Sequence, residues 1–490
     1  MSSSRIARST FPAAGRNPPP RGPASGPTSC GGNGSAAGRS PVSPTGSASM
    51  SRPCSRSPGW RAPSLKKEEG RTAIMNEDVE RDGRKQRRGM IPFEEAYRIV
   101  MESAVEMGAE TVPLFEACGR VLARDIESDV DMPPFDKSAM DGYACRKEDL
   151  GAPLEIVETI PAGRMPAAAI GPGQCAKIMT GGVVPEGADC VVMIEHTELR
   201  GGKVVVTRNP GALNICHRAE DVKRGDIVLR TGVLISPSEI AVLAAVGRVE
   251  VPVSRRPVVG IAATGNEIVD PSAVPAAAEI RDSNRAQLFG QVEQAGCVPV
   301  DLGIVPDEPE AIAEVVERGE ASADVLLFSG GVSMGEFDFV PRVLRERGFD
   351  LLFEEVAIKP GKPTVFGRKG GTFAFGLPGN PVSTFVIFEL FVRPFCFALM
   401  GCGRAGLSIS AELAETVRRK RPDRLAHVPV RLDGEGKARP VEYHGSAHIH
   451  AYTMADGFIA LPIGTAEIRA GTSVRVMLTR RTCRGGGGCA

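Results

Sequence analysis

The sequence predicts a multidomain α/β protein: a doubly wound, mostly parallel sheet domain, an N-terminal linker domain carrying an inserted small β domain, a C-terminal small β domain, and a disordered N-terminal tail. Three observations carry this reading. Residues 257–400 alternate short apolar strand runs with segments of helical period, the pattern of a parallel sheet covered on both faces. The stretches on either side are rich in Gly, Pro and Val and break into short strands. The leading segment is Pro/Gly/Ser-rich and basic, so it buries too little apolar surface to offset its ordering entropy.

The tail spans residues 1–89, with Met75 or Met90 an expected start of the functional part. Residues 91–130 and 216–256 form the linker domain. Its first segment, "PFEEAYRIVMESAVEMG", places Phe93, Ala96, Val100 and Met107 near one helical face and stops at Gly108, a suitable C-cap. Residues 131–215 form the inserted β domain, with strand runs "LEIVETI", "CAKIM", "DCVVMI" and "GKVVVTR". In residues 257–400, "PVVGIAA", "CVPVDLG", "DVLLFSGG", "DLLFEEVAI" and "GTFAFGL" read as strands, with helices between them and the long "PVSTFVIFELFVRPFCFALMG" helix at the end. Residues 401–482 return to short strands.

The zero net charge hides an asymmetry: residues 1–74 hold 11 Lys+Arg and 2 Asp+Glu, leaving 48 basic against 57 acidic side chains in the remainder. A mildly acidic body gives no whole-surface argument for nucleic acid. Twelve cysteines are scattered singly, without a C-x-x-C pair, as expected of reduced thiols in the cytoplasm. The run over 380–400 is interrupted by Glu389, Arg393 and Pro394, so no membrane span is expected.

In an open parallel sheet, ligands bind at the carboxyl ends of the strands. "FSGGVSMGEFDF" follows one strand; Gly330 and Gly331 let backbone N–H groups turn inward, Ser333 adds a hydroxyl, and Asp338 stands just beyond this anion nest. "LPGNPVS" follows another strand and opens a helix, with Asn380 at N-cap and Pro381 at N1, a place for phosphate that capping alone also explains. "AIKPGKPTVFG" sets Lys359 and Lys362 around a stiff Pro-Gly turn, suited to an anionic substrate. Glu267, Asp307 and Asp338 end successive strands, and converging carboxylates suit Mg²⁺. His444, His448 and His450 lie in an expected β segment without neighbouring Cys or Asp, which argues against a zinc site.

Taken together, "PPFDKSAMDGYA", "KIMTGGVVPEGAD", "ATGNEI", "RDSN", "GIVPDEP", "SGGVSMGEFD", "IKPGKPT", "LPGNPVS" and "GSAHIHAYTMADGFIALP" resemble, in order, the molybdopterin molybdenumtransferase (molybdenum insertase) family of molybdenum cofactor biosynthesis. The C-terminal region of gephyrin is similar. The resemblance implies four domains in an elongated homodimer, and a Mg²⁺-dependent reaction of adenylylated molybdopterin with molybdate that yields molybdenum-bearing cofactor and AMP. Gly330, Gly331, Ser333, Pro378, Gly379, Asn380, Pro381 and Ser383 would then hold pterin and phosphates, and Glu267, Asp307 and Asp338 the metal. Lys359, Lys362, Arg424 and Ser446 would neutralise molybdate, while Asp141 and Thr180 would reach the partner subunit's α/β domain. A transient contact with the molybdopterin adenylyltransferase is the other partner implied. Against the family's usual pattern, Asn266 replaces an Asp, Ala219 a Gly and Glu355 a frequent Lys. Two alternatives stand beside insertion: the adenylyltransferase of the preceding step, and a non-catalytic pterin-binding scaffold.

Overall fold

The computed structural model describes residues 89–479 except 209, 210, 212, 334, 336, 337, 404 and 405. The expected disordered tail up to residue 88, and the last residues of the expected C-terminal domain, lie outside the described residues.

The strand and helix runs of the central region fold as their patterns require. Strand β1 (Val258–Thr264) leads to α1 (Asn284–Gln294), β2 (Val298–Val305), α2 (Pro309–Ser322), β3 (Val325–Ser329), α3 (Val340–Glu346), β4 (Asp350–Glu355), β5 (Pro363–Lys369), β6 (Thr372–Leu377) and α4 (Pro381–Leu399). The sheet order is β2-β1-β3-β6-β5-β4, with β2/β1, β1/β3 and β3/β6 parallel and the β6/β5 and β5/β4 pairs antiparallel. Alternate residues point to opposite faces. Val259, Ile261, Val325, Leu327 and Phe375 pack under α1 and α4, whereas Ala262, Leu326, Phe328 and Ala374 pack under α2 and α3.

Two features differ from the sequence reading. Strand β5 is not among the expected strands and follows the Lys359–Lys362 turn: Thr364, Val365 and Phe366 are buried, and Gly370 at φ 55 closes the hairpin to β6. The helix opening at Phe93 ends at Glu102, not Gly108, and the Ser103 hydroxyl donates to the Ile99 carbonyl at 2.7 Å. Met107 N–H donates instead to the Leu399 carbonyl at 2.8 Å, because this stretch is anchored on the α/β domain. The helix packs there too, with Ala96 and Val100 in the main core and the Phe93 and Phe391 rings 5.2 Å apart.

Helix α4 is long and apolar enough to cross a membrane, but 83% of its most apolar window is buried inside the fold. A π-helical turn at Phe388–Val392 interrupts it. Just there, Arg393 clasps Glu389 through two bonds of 2.6 and 2.8 Å, and Gln291 of α1 donates to the same carboxylate at 2.8 Å.

In the linker region Ala109–Pro113 pairs antiparallel with Glu250–Ser254, joining segments from both sides of the insertion. Ser236 and Glu239 close a capping box on the helix Pro237–Ala245. The inserted sheet has strand order Glu155–Ile160, Gln174–Ile178, Gly142–Cys145, Cys190–Met193, and it buries residues on both faces. The chain enters and leaves it side by side: Met132 N–H donates to the Val222 carbonyl at 2.7 Å, and Lys137–Ser138 pairs with Ile215–Cys216. At this neck Ala219 holds a left-handed φ of 60, a conformation that suits Gly better than Ala.

The C-terminal sheet runs Ile358–Lys359, Leu425–Leu432, Gly457–Leu461, Ser473–Leu478, Ser408–Glu412, so its first strand is borrowed from the α/β region. His427 is buried between the rings of Phe93 and Phe458, and burial pushes its pKa down from 6.5 to about 3. The unfolded chain therefore takes up a proton below pH 6.5 that the native state refuses until about pH 3. The stabilisation is full above pH 6.5 and is lost as pH falls through this window, by about 1.4 kcal/mol per pH unit. Urea unfolding between pH 7 and 5 is expected to show this slope reduced in His427→Phe. An unchanged slope would show that other groups set it.

Candidate active site

The four parallel strands β2, β1, β3 and β6 end side by side, and their carboxyl-end loops border one cleft of about 580 Å³. Glu267 follows β1, Asp307 follows β2, the Gly330–Gly331 turn, Ser333 and Asp338 follow β3, and Pro378, Gly379, Asn380 and Pro381 follow β6; all line it. Ala447 of the C-terminal region closes another side.

The glycines of the nest are required by space as well as by backbone angle. Gly330 and Gly331 have φ of 101 and 63, and a Cβ on them would lie 2.4 Å from the Thr264 carbonyl oxygen and 2.7 Å from Thr264 Oγ1. The Gly330 N–H donates to the Leu377 carbonyl at 3.0 Å, which leaves the Gly331 N–H as the nest's donor toward an anion. Asn380 is the N-cap of α4 but makes no side-chain capping bond, so capping does not account for it. The first turn is tied instead by the Thr384 hydroxyl, which donates to the Pro378 carbonyl at 2.6 Å.

The acids form a charged wall. Burial raises the Asp307 carboxyl above its ordinary pKa, opposed by the Asn266 backbone N–H and the Thr264 hydroxyl and reinforced by the charges of Glu267 and Asp338. Its Oδ1 is buried and accepts no hydrogen bond of ordinary geometry. A buried oxygen without a donor, flanked by like charges, fits a cation. Asp338 is partly satisfied by the Gly335 N–H at 2.7 Å. Among the described residues no three Asp, Glu, His or Cys side chains are grouped so that they could hold a metal ion. Asn266, in place of an acid, accepts the Asp307 backbone N–H on its Oδ1 at 3.1 Å and so holds that loop.

The remaining expected residues fall into two other places. Lys359 pairs with Ala426 in the strand pair Ile358–Lys359 and Leu425–Ala426, and Arg424, whose Nε lies 3.6 Å from Asp423 Oδ2, precedes Leu425. Lys362 is bound to Glu355 at 3.0 Å, which compensates its charge. The Ser446 carbonyl accepts the Val382 N–H at 3.0 Å, close to the start of α4, whereas Ser383 is 3% exposed within that helix and does not line the cleft. Asp141 and Thr180 lie on the inserted domain, away from the cleft lining. There the Thr180 N–H and hydroxyl donate to Asp141 Oδ1 at 2.6 and 2.7 Å and hold its carboxyl below the usual range. Asp136 is structural: it accepts the Arg218 N–H at 2.7 Å. The segment carrying His444, His448 and His450 is a turn and a short helix, His450–Thr453, not a β segment, since Gly445 at φ 113 reverses the chain.

Sequence reasoning assigned no role to Thr264, Asp282, Asn284 or Ser329, which also line the cleft. Their signal was position: Thr264 and Ser329 close two strands, and Asp282 and Asn284 sit in "RDSN" at the start of α1.

Family models match in three successive pieces: the MoeA N-terminal region (domain I and II) over residues 91–247, a probable molybdopterin binding domain over 260–398, and the MoeA C-terminal region (domain IV) over 411–479. The molybdopterin molybdenumtransferase of Bacillus subtilis (strain 168) is 36% identical over 411 residues, covering 81% of this chain and 95% of that protein. The chain belongs to the molybdopterin molybdenumtransferase family. A second molybdenumtransferase, from Staphylococcus epidermidis, is 34% identical over 405 residues, 80% of this chain and 97% of its own. The solved molybdopterin biosynthesis MoeA protein from Pyrococcus horikoshii OT3 superposes with a TM-score of 0.70 at 32% identity, covering 79% of this chain and 100% of that one. The molybdenumtransferase architecture thus spans the inserted domain, the α/β domain and the C-terminal sheet together.

Proposed function

We propose that this molybdenumtransferase family member inserts molybdate into adenylylated molybdopterin with release of AMP, in the cytoplasm, as a homodimer whose sites are shared between subunits. The observation that carries the proposal is the meeting, at four adjacent strand ends, of an anion nest, a helix N-terminus without a side-chain cap and an acid wall with one undonated buried oxygen. The Gly331 N–H, the Ser333 hydroxyl and the start of α4 bind the phosphoanhydride and the pterin side, while the Gly330 N–H is held by the Leu377 carbonyl at 3.0 Å. Lys359, Arg424 and Ser446 gather molybdate at the seam with the C-terminal sheet, and Lys362 contributes there only in part, because Glu355 offsets it. A Mg²⁺ ion held by Glu267, Asp307 and Asp338 would supply charge neutralisation for cleavage of the phosphoanhydride. Asp141, oriented by Thr180, is supplied to the cleft of the other subunit.

The Glu355–Lys362 pair also favours a second reading, a pterin-binding paralogue that has lost molybdate affinity. The adenylyltransferase reading rests on the α/β domain alone, and the three matched regions extend well beyond it. Incubating the full-length protein with adenylylated molybdopterin, Mg²⁺ and molybdate separates the three. Molybdate-dependent AMP release is expected. Pterin binding without it would favour the paralogue, and adenylylation of molybdopterin from ATP would favour the adenylyltransferase.

A further inference from the structure

Asn284, the first residue of α1, uses both hydrogens of its side-chain amide: Nδ2 donates to Ser329 Oγ at 2.8 Å and to the Gly379 carbonyl at 2.7 Å. The Gly379 carbonyl fixes which way the amide points, since an amide oxygen placed there would face another oxygen. Ser329 ends β3, and the Gly330–Gly331 nest begins at the next residue. Gly379 immediately precedes Asn380, the N-cap of α4. One side chain from a third element therefore ties together the two loops that would hold the phosphoanhydride.

The roots of the two loops are joined by the Gly330 N–H, which donates to the Leu377 carbonyl at 3.0 Å, and the loops approach closely beyond it, since a Cβ built on Gly379 would lie 3.6 Å from Gly330 Cα. A serine or a single water offers no pair of hydrogens diverging from one planar atom, so the amide sets the spacing between the loops as well as closing it. The tie leaves Asn284 Oδ1 buried without an acceptor's partner, an unfavourable arrangement that is retained at this cleft. The residue lines the cleft and heads α1 without forming a cap of its own.

We propose that Asn284 is a positioning residue that sets the distance between the glycine nest and the α4 N-terminus, so that a ligand whose two phosphates span both loops depends on it. This inference rests on the function proposed above. A ligand with one phosphate engages one loop and is insensitive to the spacing.

The test compares two ligands on the full-length protein and its Asn284→Ala variant, titrated with adenylylated molybdopterin and, separately, with AMP. The Kd for adenylylated molybdopterin is expected to rise about tenfold or more, while that for AMP stays within about twofold. Should the alanine variant fail to fold, Asn284→Asp keeps the size, places an oxygen against the Gly379 carbonyl and is expected to show the same selective loss. Equal losses for both ligands, or no loss for either, overturn the inference. A wild-type protein that binds no adenylylated molybdopterin removes the proposed function and this inference with it; wild-type binding with an unaffected variant removes the inference alone.

Discussion

Replacing Asp307 with asparagine is expected to lower molybdate-dependent AMP release by about 100-fold or more while raising the melting temperature. The two effects have one cause. Burial, with the charges of Glu267 and Asp338, lifts the Asp307 pKa in the folded state. A carboxylate whose folded pKa lies above its unfolded value stabilises the fold only while protonated, and that contribution is lost as pH rises through the carboxylate range. At neutral pH the ionised Asp307 is therefore a standing cost, and asparagine removes the charge that the proposed cation would need. Activity and melting temperature measured on the same preparation check both signs. Loss of activity together with loss of stability would show that Asp307 is merely structural. The same assay addresses the shared site, by mixing Asp141→Asn subunits with Asp338→Asn subunits. If each site draws on two chains, mixed dimers restore one good site in every heterodimer, about a quarter of wild-type activity after random exchange. Recovery no greater than the parents would place both residues in one chain's site or outside it.

The largest effect on stability is expected at the Glu389–Arg393 pair. Their side chains are 5% and 12% exposed, and the guanidinium lies over the Phe388 ring at 5.6 Å. Arg393→Met would leave a buried carboxylate with Gln291 as its remaining donor, at a cost of about 3–5 kcal/mol. Replacing both, Glu389→Leu with Arg393→Met, removes the stranded charge, and packing recovers most of the loss. Urea unfolding of the two single variants and the double variant gives the coupling directly. A double variant no more stable than the singles would mean that the pair organises the helix in a way that apolar side chains do not replace.

The sheet domain and its strand-end loops were legible in the sequence because both are local. Period-two and period-3.6 runs mark the elements, and topology then dictates that their carboxyl ends face one cleft, which is why Glu267, Asp307, Asp338 and the Gly330–Gly331 turn were found together. What escaped are the links between loops. Nothing near Lys362 in the chain reveals that Glu355 takes up its charge across the β4/β5 turn, and β5 itself was hidden behind its two lysines. Thr180 holds Asp141 across 39 residues of chain, and Asn284 reaches Gly379 across 95. Such pairs are set by sheet order and loop approach, which no window of neighbouring residues encodes.

The neck of the inserted domain, where Met132 bridges Val222, has a consequence for how the chain is assembled. The two ends of the insertion meet at a hydrogen bond, so the host domain is interrupted in sequence but continuous in space. Closing so long an excursion costs only slightly more than closing a short one, since the entropy grows with the logarithm of its length. The inserted module is thereby free to be lengthened, exchanged or re-aimed without redesign of the α/β sheet.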